Sequence, residues 1–196
     1  MRMKYTAIFH TRFRERPYFT IRDARLFLSQ KGISSGYLRV MIHSWLQKGK
    51  LHRLGKGVYT FHDELDLAGF VFQPFYYGLH FALTHHGIWD QATNPVVVTT
   101  KLVRPGIRVV LGQNVLVRRI AKKLFFGFAL TRIGDYWLPV SDVEKTFLDM
   151  IYFRQKMTPE VRAAFQSRFD KKRLQTHLRK FPRWVQNRVP KILAST

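Results

Sequence analysis

The sequence predicts an α+β fold in two parts: a small helical unit closed by a basic hairpin, then a larger unit of mostly antiparallel sheet followed by C-terminal helices. Three observations predict it. Two runs of apolar residues at helical spacing between residues 21 and 47 lead directly into a Gly-Lys-Gly turn flanked by short β-prone stretches. β-branched and aromatic segments, punctuated by glycine and proline, fill residues 96–140. Helical segments rich in Lys and Arg then fill the end of the chain. An acidic patch from Asp63 to Asp66 sets the expected boundary, with residues 1–62 as one domain and 63–196 as the other.

In the first part, Ile21 to Gln30 reads as a helix with Ile21, Ala24, Phe27 and Leu28 on one face and Thr20 as its N-cap. Gly32 ends it. Ile33-Ser34-Ser35 opens the next helix with serine in the capping position, and Leu38, Met41 or Ile42, Trp45 and Leu46 follow at helical spacing. The opposite face carries Ser35, Tyr37, Arg39, His43 and Gln47, side chains able to hydrogen-bond to base edges. Gly49 closes the helix, and residues 50–61 read as two short strands around Gly55-Lys56-Gly57, with Arg53 on the first strand.

In the second part, Phe75 to Leu83 reads as a buried helix ending at His86-Gly87. The stretch Leu67–Trp89 contains no Asp, Glu, Lys or Arg. Gln73, Pro74, three histidines and three glycines interrupt it, so it reads as a buried turn and helix and not as a membrane span. Strands are expected at Val96–Thr100, Ile107–Leu111, Val115–Ile120 and Leu124–Thr131, and another at Tyr136–Val140. Ser141 to Tyr152 is a helix with Ser141 as N-cap and Glu144 at the capping-box position, and Lys145 can pair with Asp149 one turn later. Three more helices, Pro159–Phe169, Lys171–Phe181 and Pro182–Leu193, finish the chain and carry Lys171, Lys172, Arg173, Arg179, Lys180 and Arg183.

Charge points to the partner. Lys and Arg number 34 against 12 Asp and Glu, a formal +22. Residues 1–62 hold 13 basic and 2 acidic side chains, and residues 141–196 hold 13 and 5. A surface this basic binds a polyanion, and neutralising phosphates releases condensed counterions whatever the base sequence. The absence of cysteine excludes disulfides, thiolate zinc sites and thiol nucleophiles, and fits a reducing cytoplasm. The N-terminus lacks the continuous apolar run of a signal peptide.

Helix, turn, helix and basic hairpin in that order make a winged helix-turn-helix, in which the second helix enters the major groove and the wing lies along phosphates. The fold expectation is thus an N-terminal winged helix-turn-helix followed by a mixed α/β domain. Double-stranded DNA is the expected partner and no membrane is. The expected contacts are Ser34, Ser35, Tyr37, Arg39, His43, Arg53 and Lys56, with Lys171, Lys172, Arg173, Arg179 and Arg183 as a second set on the C-terminal helices.

Two blocks carry a family resemblance. The first is Gly36–Tyr59. The second comprises Tyr77 to Trp89, then Pro95-Val96-Val97-Val98, then Leu138-Pro139-Val140-Ser141-Asp142-Val143-Glu144-Lys145-Thr146-Phe147-Leu148-Asp149. Together they resemble AbiEi-type antitoxins, winged-helix transcriptional regulators, over roughly residues 19–155. The resemblance implies an antitoxin of a type IV toxin–antitoxin pair that represses its own operon by binding promoter repeats. It also implies a cognate nucleotidyltransferase-like toxin that is opposed without a tight complex. It places the recognition helix at Ser35, Tyr37, Arg39 and His43 and the wing at Arg53 and Lys56.

No enzymatic activity, cofactor or metal is expected. Nucleotidyl transfer needs closely spaced carboxylates after a glycine turn to hold magnesium, and no such pattern occurs. His80, His85 and His86 lack a carboxylate at matching helical spacing for a metal site. Two alternatives stay open: an RNA- or ribosome-associated structural protein, and a metal-dependent nuclease recruiting Asp135 and Asp142.

Overall fold

Phe9 and Phe13 stand one helical turn apart, and the chain uses that spacing to begin its first core. In the computed structural model, which describes residues 2–91 and 93–194, helix α1 (Arg2–Phe13) buries both rings against each other, 4.6 Å between centroids, and against Phe19 at 5.4 and 4.8 Å. Sequence reasoning assigned no element here. Apolar residues at 7, 8, 9 and 13 among basic and polar ones give no clean helical stripe, and that period is too weak to separate helix from loop.

Strand β1 (Phe19–Thr20) leads into α2 (Ile21–Ser29), then α3 (Ser35–Gln47), β2 (His52–Gly55) and β3 (Val58–Thr60). Thr20 caps α2 as expected, within a full capping box: its Oγ1 accepts from Asp23 N at 3.1 Å, and Asp23 Oδ2 accepts from Thr20 N at 2.8 Å. Thr20→Ala is expected to lower stability by about 1 kcal/mol, read as a shift of the urea midpoint with unchanged m-value. The three strands form an antiparallel sheet in the order β1-β3-β2, with Phe19 opposite Tyr59 and Arg53 opposite Tyr59 on the other side. Phe9, Phe13, Phe19, Ala24, Leu28, Leu38, Met41, Ile42 and Leu51 make one buried cluster beneath it.

The chain divides into two compact units, one of residues 1–71 with 109–113 and the other of residues 72–108 with 114–196. After a 3-10 turn at Leu65–Phe72, the chain runs through β4 (Phe75–Tyr77), α4 (His80–His85), β5 (Val96–Thr99), β6 (Gly106–Val110), β7 (Gln113–Arg119), β8 (Phe128–Ile133) and β9 (Tyr136–Ser141), all in the second unit except the β6–β7 tip at 109–113. Helices α5 (Val143–Tyr152), α6 (Pro159–Arg168), α7 (Lys171–Leu178) and α8 (Arg183–Ala194) complete it. The six-stranded sheet has the order β6-β7-β5-β4-β9-β8. The pair β8–β9 is antiparallel, as the tight turn between Ile133 and Tyr136 requires, and β4–β5 is antiparallel across the segment that holds α4, while β4–β9 and β5–β7 run parallel. The parallel neighbours are strands separated by a long excursion or by an intervening strand, which removes the constraint that a tight turn imposes.

Three expectations change in this unit. Phe75–Leu83 is not one helix: Phe75–Tyr77 is a central strand between β5 and β9, and α4 begins only at His80. All three strand residues are buried, so the alternation that marks a strand is missing, and a short apolar run reads equally as buried helix. Leu124 belongs to a short 3-10 turn, and β8 starts at Phe128, beyond Gly127 in the left-handed region (φ 70). Asp142, not Ser141, caps α5, its Oδ1 accepting from Lys145 N at 2.7 Å. Ser141 ends β9 instead, and its hydroxyl lies 2.7 Å from that of Thr146.

Helix α5 is the axis of the second core. Every residue from Glu144 to Ile151 is buried, because α4, α6, α7 and α8 all pack on it. Phe147, Leu148 and Ile151 join Tyr76, Val98, Phe165 and Val185 in the apolar cluster.

Candidate nucleic-acid interface

The arrangement of α3 follows from where its apolar residues fall. Leu38, Met41 and Ile42 are buried, and Tyr37, Trp45 and Leu46 pack partly against the same core. That leaves Gly36, Arg39, Val40, His43 and Gln47 exposed at steps of three and four residues, a single face of the helix. No acidic residue occurs in α3.

The predicted α3 residues therefore divide. Arg39 and His43 stand on the outer face. Ser35 is exposed in the first turn. Ser34 is the N-cap, its hydroxyl occupied by Tyr37 N at 3.3 Å, and Tyr37 is half-buried with its ring turned to the core. Val40 was not singled out from the sequence, yet it is 65% exposed between Arg39 and His43. An aliphatic group in that position suits the C5-methyl of thymine. Its signal was legible as an apolar residue falling off the core side of the helical period.

The wing is a two-residue hairpin turn, Lys56-Gly57, between β2 and β3. Gly57 takes φ 74, the left-handed value a tight hairpin needs. Its carbonyl accepts from Ile21 N at 2.8 Å, which ties the turn to the start of α2. Lys56 at the tip and Arg53 on β2 are both exposed. Arg53 Nε donates to Gly55 O at 3.3 Å, across a bulge in the β2–β3 register.

The second predicted set lies in the other unit. Asp170 caps α7 by accepting from Lys172 N and Arg173 N at 2.9 and 3.1 Å, and these bonds hold its carboxyl below the usual carboxylate range. Lys171, Lys172, Arg173, Arg179 and Arg183 are all exposed. Arg173 approaches the buried Glu144 at 3.9 Å. Glu144 is not a capping-box residue: its Oε1 accepts from Asp170 N at 2.7 Å and so joins α5 to the start of α7.

The Glu-Lys-Thr-Phe-Leu-Asp stretch of α5 is internal. Lys145 and Asp149 pair as their spacing predicted, but with both side chains fully buried. Lys145 Nζ also donates to Tyr76 Oη at 2.9 Å, and that hydroxyl donates to Asp149 Oδ2 at 2.7 Å. The faces of Tyr76, Phe126 and Phe181 lie 5.1, 5.4 and 5.1 Å from the ammonium nitrogen. Burial pushes the Lys145 amine down and the Asp149 carboxyl and Tyr76 phenol up, while the ion pair opposes the first two shifts. Gly127 makes room for this cluster, since a Cβ there would meet Lys145 Cβ at 2.9 Å and His177 Nε2 at 3.0 Å.

The histidines weighed for metal are occupied otherwise. His86 Nε2 lies 2.7 Å from Ser141 O, and His80 sits edge-on to Trp89. Burial holds the His80 and His85 imidazoles below the usual histidine range, with the neighbouring His86 adding to the effect at His85. Asp135 is exposed beside Arg132 at 4.0 Å, and Asp142 caps α5 and bonds His177 at 2.9 Å. Among the described residues no group of three His, Asp or Glu is arranged to hold a metal ion, and no helix is long and apolar enough to cross a membrane.

Residues 11–62 match the family model described as transcriptional regulator, AbiEi antitoxin. The match spans the end of α1, all of α2 and α3 and the wing. No curated protein matches the chain.

Proposed function

From the match of residues 11–62 to AbiEi antitoxin regulators, we propose that the chain is a DNA-binding transcriptional regulator that represses its own operon at promoter repeats. One observation carries this reading: the exposed α3 face of Arg39, Val40, His43 and Gln47 stands in the same unit as a wing tipped by Lys56. Residues 1–62 act as the DNA-binding part. Helix α3 enters the major groove, where Arg39 and His43 address base edges, Val40 meets a thymine methyl, and Arg53 and Lys56 hold phosphates. Ser35 and the first turn of α3 face the backbone. Residues 63–196 act as the antitoxin part, and Lys171, Lys172, Arg173, Arg179 and Arg183 add a second contact to the duplex. The protein works in the cytoplasm and opposes a nucleotidyltransferase-like toxin encoded beside it, without a tight complex.

The test is fluorescence-anisotropy binding to the upstream promoter fragment, a scrambled duplex and a structured RNA across a salt series. Promoter binding at least about a thousandfold tighter than scrambled DNA is expected of a specific regulator. Equal binding to both duplexes would leave only a backbone binder, and preference for the RNA would replace DNA as the partner. In the same assay Lys56→Ala is expected to weaken both duplexes alike and to reduce the salt slope by about 1.

A further inference from the structure

Glycine is among the weakest helix formers, because it gives up the most backbone freedom on folding and brings no side chain to pack. Helix α3 nevertheless carries Gly36 in its first turn, on the exposed face that also holds Arg39, Val40, His43 and Gln47. Nothing inside the fold asks for it. Gly57 takes a φ of 74, which other residues rarely adopt, and a Cβ at Gly55 would meet Val71 Cγ1 at 2.7 Å. Gly36 has neither reason: its backbone is ordinary helix, and the nearest atom its Cβ would meet is Ser34 Oγ at 3.8 Å, a normal van der Waals contact. The start of the helix is already fixed by the Ser34 hydroxyl, which accepts from Tyr37 N, so the glycine is not needed to cap it. A residue that weakens its helix and relieves no contact within the chain is explained by what approaches from outside.

The side chains that follow point the same way. Gly36, Val40, His43 and Gln47 succeed one another at steps of four, three and four residues and form one stripe along the helix. Along that stripe they lengthen, from no side chain at Gly36 to the isopropyl of Val40, the imidazole of His43 and the carboxamide of Gln47. A surface that touches all four therefore lies at a tilt to the helix axis and is nearest to it at Gly36. Recognition helices meet DNA in that way, with their N-terminal end presented to the major groove.

We propose, on the footing that α3 reads DNA, that Gly36 is its point of closest approach: the bare Cα lies against the wall of the major groove, and the missing side chain sets how deeply the helix enters. Gly36 brings no charge and no hydrogen-bonding side chain, so its contribution is steric. A methyl group placed in such a contact acts as an added methyl does in a filled core and forces one of the two surfaces back. An outward shift of α3 also withdraws Arg39 and Val40 from the base edges. The promoter complex, which needs those contacts, loses more than a complex held by phosphates alone.

The experiment uses the full-length parent, Gly36→Ala, Gly36→Gln and Lys56→Ala, each melted by circular dichroism and titrated by fluorescence anisotropy with the promoter fragment and a scrambled duplex. Gly36→Ala is expected to melt about 1–4 °C above the parent, since alanine suits the same helical backbone better. It is nevertheless expected to bind the promoter about tenfold more weakly, and Gly36→Gln about a hundredfold. Scrambled-duplex binding should fall less, with an unchanged salt slope because no charge is altered. Higher stability together with weaker binding separates contact with DNA from folding, and a glycine kept for the helix itself would lower both. Promoter binding by Gly36→Ala equal to that of the parent, while Lys56→Ala weakens both duplexes, would overturn this inference and leave the DNA-binding reading standing. An equal loss on both duplexes, or a lower melting temperature in Gly36→Ala, would also overturn it. A parent that binds neither duplex would remove the reading of α3 and this inference with it.

Discussion

Asp149→Ala is expected to lower the unfolding free energy by about 3–5 kcal/mol, because it leaves the Lys145 ammonium buried with one phenol and three ring faces in place of its counter-ion. Total stability of a single folded chain is about 5–15 kcal/mol, so this one change removes a large part of it. The double variant Lys145→Met, Asp149→Leu is expected to be far milder, since it removes both charges and fills the site with apolar atoms. Urea unfolding of the three proteins at pH 7 reads both results. A loss below about 1 kcal/mol for Asp149→Ala would mean that the pair is not charged in the folded state.

The same variant has a pH signature with a definite sign. Burial lowers the Lys145 amine from its ordinary 10.5, and without Asp149 the main force opposing that shift is gone. A lysine whose folded value lies below its unfolded one binds its proton more weakly when folded. The penalty is therefore fully present below the folded value and is relieved as pH rises toward 10.5. Asp149→Ala should accordingly regain stability relative to the parent between neutral and alkaline pH.

Arg39→Ala is expected to weaken promoter binding by about 1–3 kcal/mol while leaving scrambled-duplex binding nearly unchanged. The reason is geometric: Arg39 stands at the middle of the outward α3 face, where a guanidinium reaches the O6 and N7 acceptors of guanine in two parallel bonds. Anisotropy titrations of both duplexes at fixed salt measure the two losses side by side. An equal loss on both would assign Arg39 to phosphate. Within the same series, Val40→Ser should alter the preference at one base pair without changing the salt slope, because it carries no charge.

The first unit was legible because each of its signals is local. Thr20 and Asp23 announce a helix start three residues apart, Gly32 and Gly49 mark helix ends, and Lys56-Gly57 is a hairpin turn written in two residues. What escaped was α1 and the two-residue β1, which acquire structure only by burying Phe9, Phe13 and Phe19 together. In the second unit the expected helices at 141–193 lie within a few residues of those observed, and Thr158 and Asp170 cap two of them from the adjoining position. The central strand at Phe75–Tyr77 was misread because burial on both faces erases the period of two.

For the candidate sites the same distinction holds. Legible in the residues alone were the helix, helix, hairpin order of residues 21–61, the basic character of the wing and α7, and the one-turn spacing of Lys145 and Asp149, all of which depend on neighbours within a turn or two. It took the folded chain to show that Tyr76, 69 residues before Lys145, completes that pair, that Glu144 bonds Asp170 and does not cap α5, and that Arg154, Arg162 and Arg188 line one pocket. Those outcomes depend on which surfaces exclude water together. Burial acts between residues far apart in the chain, and spacing along the sequence carries no record of it.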